Sequence, residues 1–278
     1  MAHPLDGAHA KIRRARKHLE DLDQEVRLFT DTQPYSFVAE FDEKRSANVL
    51  RVQRQNSEQL SPDVPLIVGD AIHCLRSSLD HLVYQLAETI GTGAGKWTAF
   101  PVFNDPKDFG GQSPRLLEGV GKAHRTVIER LQPYHAVYRI EDRKAERRFL
   151  PNFVIQMTNR LDNWDKHRLL LPSAAVAPNI VPTIRGLRDY KIEPAPGWVR
   201  MEEGAVLFTI YGGVLTGALE DVKVEPDPPY TVVFGNPDPD PFRLWSDRWT
   251  GAVSKNDLDN FASAIEVVIR TFEGEFPP

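Results

Sequence analysis

The stretch Ser61 to Gly91, SPDVPLIVGDAIHCLRSSLDHLVYQLAETIG, constrains the fold more than any other part of the chain. Apolar residues recur along all of it at helical spacing, which predicts one helix of about seven or eight turns. Ser61 reads as the cap, Pro62 as the first helical position, and Asp63 suits the positive end of the helix dipole. Gly91, in the run GTGAG, reads as the stop. At roughly 100° per residue, Ala71, Leu75, Ser78, Leu79, Leu82, Val83, Leu86 and Ile90 share one face, which must be core. Asp70, His73, Arg76, Ser77, Asp80, His81, Tyr84 and Glu88 gather opposite, within an arc of roughly 140°. A face made only for water is filled with Lys, Glu and Gln. This one has no Lys and collects two His, an Arg, two Asp and a Tyr. It is a polar site, a polar subunit interface, or a solvated or internally hydrogen-bonded stripe.

The other elements are predicted around that helix. Residues 8–31 read as a first amphipathic helix, with Ile12, Ala15, Leu19, Leu22, Val26 and Phe29 as its stripe and KIRRARK as a basic first half, either solvated or facing something acidic. Between Tyr35 and Gln55, alternating residues around a charged turn at 42–48 predict a β-hairpin. Trp97 to Gly111 is a loop rich in aromatics and prolines, too apolar to be free in water and expected to pack over the bundle. A third helix is predicted from Ser113 to Leu131, stopped by Pro133. RIEDRKAERR reads as a solvated charged segment. A fourth helix is predicted from Pro151 to Leu171, with Val154, Met157, Leu161 and Trp164 on one side and Gln156, Asn159, Asn163 and His167 on the other. From Pro172 the texture changes: 13 of the 22 prolines lie between there and the end. Short alternating runs (VRMEEGAVLFTIYGG, LEDVKVEP, YTVVFGN) predict three to five antiparallel strands. A last helix from Asn256 to Glu273 carries Leu258, Phe261, Ile265, Val268 and Phe272 on one stripe, which needs a partner in the bundle.

The fold class that follows is α+β: a bundle of four to five helices over residues 1–171 with an N-terminal hairpin, an antiparallel insertion over 172–253, and a C-terminal helix over 254–278 that returns to the bundle. No apolar run is long enough to span a bilayer and MAHPLDGAHA lacks a signal-peptide core, so a cytoplasmic protein without a membrane partner is expected. The lone Cys74 reads as a small core residue. Residues 1–170 hold 25 Lys and Arg against 23 Asp and Glu, and residues 171–278 hold 9 against 16, so the net charge of −5 comes from the C-terminal part. That balance excludes the broad basic footprint of a strong duplex binder.

Within the central helix, Arg76-Ser-Ser-Leu-Asp-His81 is an Arg and a His separated by four residues. That pair resembles the HEPN superfamily of helical-bundle domains, which includes many ribonuclease toxins and whose signature is an Arg and a His four to six residues apart on one helix, and the run GDAIHCLRSSLDHLVYQLA, with the later WDKHR, looks like a bacterial branch of proteins grouped near that superfamily. The resemblance covers roughly residues 60–170. It departs from the family after Arg76, where Ser77 stands in place of the common Asn, Asp or His. A second pair, Arg160 and His167, satisfies the same spacing, although Lys166, His167 and Arg168 also suit a helix C-terminus for reasons of dipole alone.

The resemblance implies metal-independent cleavage of RNA, in which a 2′-hydroxyl attacks the neighbouring phosphate. That reaction needs a base near neutral pKa and a cation on the phosphate oxygens. His81 and Arg76 are the expected catalytic pair, supported by His73, Ser77, Asp80 and Tyr84, with Asn163 and His167 facing the same cleft. Arg76 and His81 project roughly 140° apart on one helix, so the expectation includes a homodimer that brings two pairs into one cleft. An RNA substrate, a toxin or phage-defence role and an antitoxin partner belong to the same expectation by family analogy. No cofactor is expected. A rival enzyme reading gathers His73, His81 and His167 around a divalent metal, with Asp80 or Asp165 behind them, but His73 and His81 are two turns apart, wide for one ion. GTGAGK is rejected as a phosphate loop, because Trp97 stands where Ser or Thr is needed and the run follows a helix. The alternative from a different class is a non-catalytic binding module in which Arg76 and Asp80 form a structural ion pair and His81 is a satisfied buried histidine.

Overall fold

The computed structural model describes residues 3–135, 150–167, 172–176, 183–195, 199–215, 223–225, 230–234 and 253–276. The charged run 139–148, Arg168 and residues 219–222 of the predicted strand LEDVKVEP lie outside the described residues. The chain is mixed α+β, with six α-helices and only antiparallel strand pairs among the described residues. It divides into two compact units.

The first unit comprises Met1–Leu22, Pro65–Leu170 and Asn256–Pro278. It takes the start of α1 (Asp6–Asp31) and holds α2 (Val64–Thr89), α3 (Pro106–Leu116), α4 (Lys122–Arg130), α5 (Pro151–Asp165) and nearly all of α6 (Lys255–Thr271). Each long helix buries the stripe its periodicity marks: Ile12, Ala15 and Leu19 on α1, Ala71, Leu75, Leu79, Leu82 and Leu86 on α2, and Leu258, Phe261, Ile265 and Val268 on α6 are all buried. Arg16 on α1 donates to Glu266 on α6 at 2.5 Å, and His9 meets Glu273 at 2.7 Å, so charged pairs at the rim tie together the first and last helices of this unit.

Two boundaries differ from the sequence expectation for local reasons. The central helix starts at Val64, because Ser61 caps a turn: its Oγ accepts from Asp63 N at 3.2 Å and its carbonyl from Val64 N at 3.1 Å. The predicted third helix is two shorter ones. Asp105 caps the first, accepting from Lys107 N at 2.7 Å with Pro106 just inside. Gly119, at φ +81, then turns the chain before α4. The fourth helix also ends early, at Asp165.

The second unit comprises Asp23–Val64 and Leu171–Lys255. Its hairpin is β1 (Tyr35–Asp42) and β2 (Ala47–Arg54), in register Val38 to Arg51. The hairpin does not decorate the bundle: β2 pairs with β7 (Val206–Leu215), and β7 with β5 (Leu187–Pro194), giving one sheet in the order β1-β2-β7-β5. The reason is the apolar face of the hairpin, whose Leu50 and Val52 close a core with Phe29, Met201, Leu207 and Phe208. A second sheet has the order β10-β9-β3-β6, from β10 (Val253–Ser254), β9 (Tyr230–Phe234), β3 (Pro172–Val176) and β6 (Val199–Arg200). The short strands β4 (Thr183–Arg185) and β8 (Lys223–Glu225) pair with each other. Among the described residues, eight strands from β3 to β10 thus stand where three to five were predicted. Several are two or three residues long, too short to leave an alternation in sequence.

Candidate functional site

Helices α2 and α5 run antiparallel along a polar seam. Asp165 lies against Gly69, His73 Nδ1 is 3.1 Å from Asp162 Oδ1, and Arg76 Nε donates to Asn159 Oδ1 at 3.0 Å. Moving up α2 by three or four residues moves down α5 by three. The α5 side of the seam is therefore the row Gln156, Asn159, Asp162, Asp165, a ridge of residues three apart. Gly69 permits the close approach at one end, since a Cβ there would overlap the Asp165 carboxylate.

Arg76 is the most engaged of the expected site residues. Besides Asn159, it donates from Nη1 to Asp80 Oδ1 at 2.6 Å and from Nη2 to the Phe100 carbonyl at 2.8 Å. Asp80 Oδ1 also accepts from Phe100 N at 2.9 Å. One ion pair a helical turn apart thus holds both polar groups of a single buried residue, and only 13 % of the Arg76 side chain is exposed. Gln132, fully buried, continues the strap: it donates to the Pro101 carbonyl at 2.9 Å and accepts from Phe103 N at 3.0 Å. Of residues 97–111, expected to be a loop packed over the bundle, residues 106–111 are the start of α3, which Asp105 and Pro106 nucleate; the part before it is a loop that buries its Phe100 ring, with Arg76, Asp80 and Gln132 satisfying its backbone.

His81 is elsewhere. It is half-buried against the start of α1, where a Cβ added to Gly7 would lie 3.2 Å from its Nδ1. Arg76 turns toward α5 and the loop, and His81 toward α1, as their roughly 140° separation on the helix requires. The structure does not bring them together within one protomer. Ser77 is half-buried, and Tyr84, Asn163 and His167 are exposed. Asn163 and His167 do not line the seam, because it advances by threes from Asn159 and leaves residues four apart on the next face.

His73 has the arrangement a proton-handling group needs. Its side chain is 57 % exposed, while Asp162, 3 % exposed, fixes its Nδ1 and leaves Nε2 outward. Lys166 also pairs with Asp162, at 2.6 Å. Asp165, one turn from Asp162, is held above the usual carboxylate range by burial first and then by Asp162 and Asp70, with His73 opposing. Asp70, Asp162 and Asp165 make the neighbourhood of His73 acidic, offset by Lys166 on Asp162 and by Arg76 one turn along α2, itself paired with Asp80. Among the described residues no group of three His, Cys, Asp or Glu side chains is placed to hold a metal ion, and His73, His81 and His167 are not gathered. Burial pushes the Cys74 thiol up, the direction of an inert core residue.

No family model, curated protein or solved structure matches the chain. Among the described residues no helix is long and apolar enough to cross a membrane.

The sequence pattern missed Asp162 and the Phe100 backbone and placed Asn159 outside the expected site. Asp162 had a readable signal: Gln156, Asn159, Asp162 and Asp165 are four polar residues at a spacing of three on a helix. A main-chain partner such as Phe100 leaves none.

Proposed function

We propose that the first unit is a HEPN-like helical module that acts by binding, with Arg76 and Asp80 part of its frame. One observation carries this reading: the three guanidinium nitrogens of Arg76 each donate within one protomer, to Asn159, Asp80 and Phe100. A guanidinium that clamps a scissile phosphate needs its fork open to the ligand. Here three of its five N–H groups are held by Asn159, Asp80 and the Phe100 carbonyl, and opening the fork would leave that carbonyl without its donor and Asp80 without its cation.

A second reading, the metal-independent HEPN-type endoribonuclease, draws support from His73, whose exposed imidazole is oriented by a buried carboxylate. In that reading His73 takes the base role expected of His81, and a second copy of the chain supplies the cation. RNA as substrate, a toxin or phage-defence role and an antitoxin belong to that reading alone. Against it stand Asp70, Asp162 and Asp165, which repel a phosphate from the vicinity of His73.

The two readings separate in one assay: incubation of a mixed RNA pool in excess EDTA with the wild type, Arg76→Ala, His81→Ala and His73→Ala, followed by end-group analysis. The binding reading expects no cutting by any of them. Fragments ending in a cyclic phosphate, made by the wild type and lost in a folded His73→Ala or His81→Ala protein, would overturn it in favour of the nuclease.

A further inference from the structure

The strapped loop, residues 92–103, carries an aromatic ring outward. Trp97 is 54 % exposed, and two cations lie over it: Lys96 Nζ at 5.2 Å and the Arg115 guanidinium carbon at 5.1 Å from the ring centroid. Neither cation forms an ion pair among the described residues. The backbone on both sides of the ring is fixed. Ala94 N donates to Glu88 at 2.9 Å, Gly95 N to Thr98 Oγ1 at 2.8 Å, Ala99 N to the Leu116 carbonyl at 3.0 Å, and Phe100 is held by Arg76 and Asp80. The platform is preorganised, so a ligand that stacks on it orders little that is not already ordered.

We propose that Trp97, Lys96 and Arg115 form a platform for single-stranded nucleic acid, one base stacking on the indole and the adjoining phosphate meeting the two cations. This names the partner of the binding module and rests on that reading. The chemistry selects the ligand: an unpaired base can take the exposed indole in place of the two long cationic side chains that lie over it, and those cations then offer the charge that a phosphate needs. A duplex hides its base faces and cannot stack there. Two acids lie close by. Glu88 is spent on the Ala94 amide, and the Glu118 carboxylate packs on Gly95. They offset the two cations, so attraction by net charge is weak and stacking supplies most of the affinity.

The test is a fluorescence-anisotropy titration of the full chain with a labelled oligothymidylate of about 12 nucleotides, a length one such site and its flanks can cover. Lacking a 2′-hydroxyl, this probe cannot be cut by the ribonuclease route, so its binding is read separately from the EDTA assay. Nuclease activity would sink the module reading and leave this measurement standing. The wild type should bind the single strand better than the matched duplex. Trp97→Ala should lose about tenfold in affinity and Trp97→Phe most of that loss should spare. Lys96→Ala and Arg115→Ala should each reduce the salt slope by about 0.7. All four variants should melt within a few degrees of the wild type, since the ring is exposed and neither cation has more than its contact with that ring. No binding by the wild type, or Trp97→Ala titrating like the wild type, overturns the proposal. Displacement by inorganic polyphosphate of a complex that is indifferent to Trp97 would also overturn it, reducing the site to a charged surface.

Discussion

Arg76 and Arg115 serve the same loop, one bonded to its Phe100 carbonyl and the other lying over its Trp97 ring. Arg76 has three acceptors around it and is mostly buried, whereas Arg115 has no carboxylate partner among the described residues and lies over a Trp97 ring that is open to water. The residue type is the same and the physical situation is opposite. Unspent donors beside an exposed surface mark a place where a ligand can add interactions, and spent donors mark a frame. By that criterion the polar stripe of α2 divides: its Arg76 and Asp80 part is frame, and its His73 part presents an oriented but acidic surface.

The comparison breaks most readily at Arg76. Arg76→Ala strands Asp80 and the Phe100 carbonyl, and should cost about 3 kcal/mol of unfolding free energy, with Arg76→Lys recovering only a fraction because one ammonium cannot reach three acceptors. Denaturant titration measures this; a loss below about 0.5 kcal/mol would place Arg76 with Arg115. Gly119→Ala attacks the loop from its far side. At φ +81, with the Gly93 carbonyl in the space a Cβ would fill, it should cost about 2 kcal/mol and weaken oligothymidylate binding by displacing Trp97.

A smaller effect sharpens the His73 side. Burial and two neighbouring carboxylates raise the Asp165 pKa, so the folded chain holds that proton to higher pH than the unfolded chain does. Between the unfolded value, about 4, and the raised folded value, the folded state binds more protons, and stability falls as pH rises through that window. Asp165→Asn should therefore raise the melting temperature at pH 7, with the gain disappearing in acid below about pH 4. A variant that melts lower than wild type at pH 7 would refute the repulsion. The smallest effect is expected of His73→Ala, within about 0.5 kcal/mol, because its ring is largely exposed.

Much of the first unit was legible in the sequence because its helices bury long stripes at one period, as on α2 and α6. The break between α3 and α4 was not, since it rests on a cap at Asp105 and a left-handed turn at Gly119 inside a run that stays apolar. The hairpin was legible as a hairpin, but its membership of the second unit was not, because pairing of β2 with β7 joins residues far apart in sequence. At the site, the sequence marked Arg76, Asp80 and His73 as unusual. It could not say which were already satisfied, because the deciding partners, the Phe100 backbone and Asp162, come from other elements.

The most direct test of the central claim is a double-mutant cycle on unfolding free energy at neutral pH, with Arg76→Ala, Asp80→Ala and the pair. A frame built on this ion pair predicts a coupling of about 1–2 kcal/mol, the double variant being little worse than Arg76→Ala alone. Additive losses, or an Arg76→Ala protein as stable as the wild type, would contradict it and return Arg76 to the candidates for a ligand site.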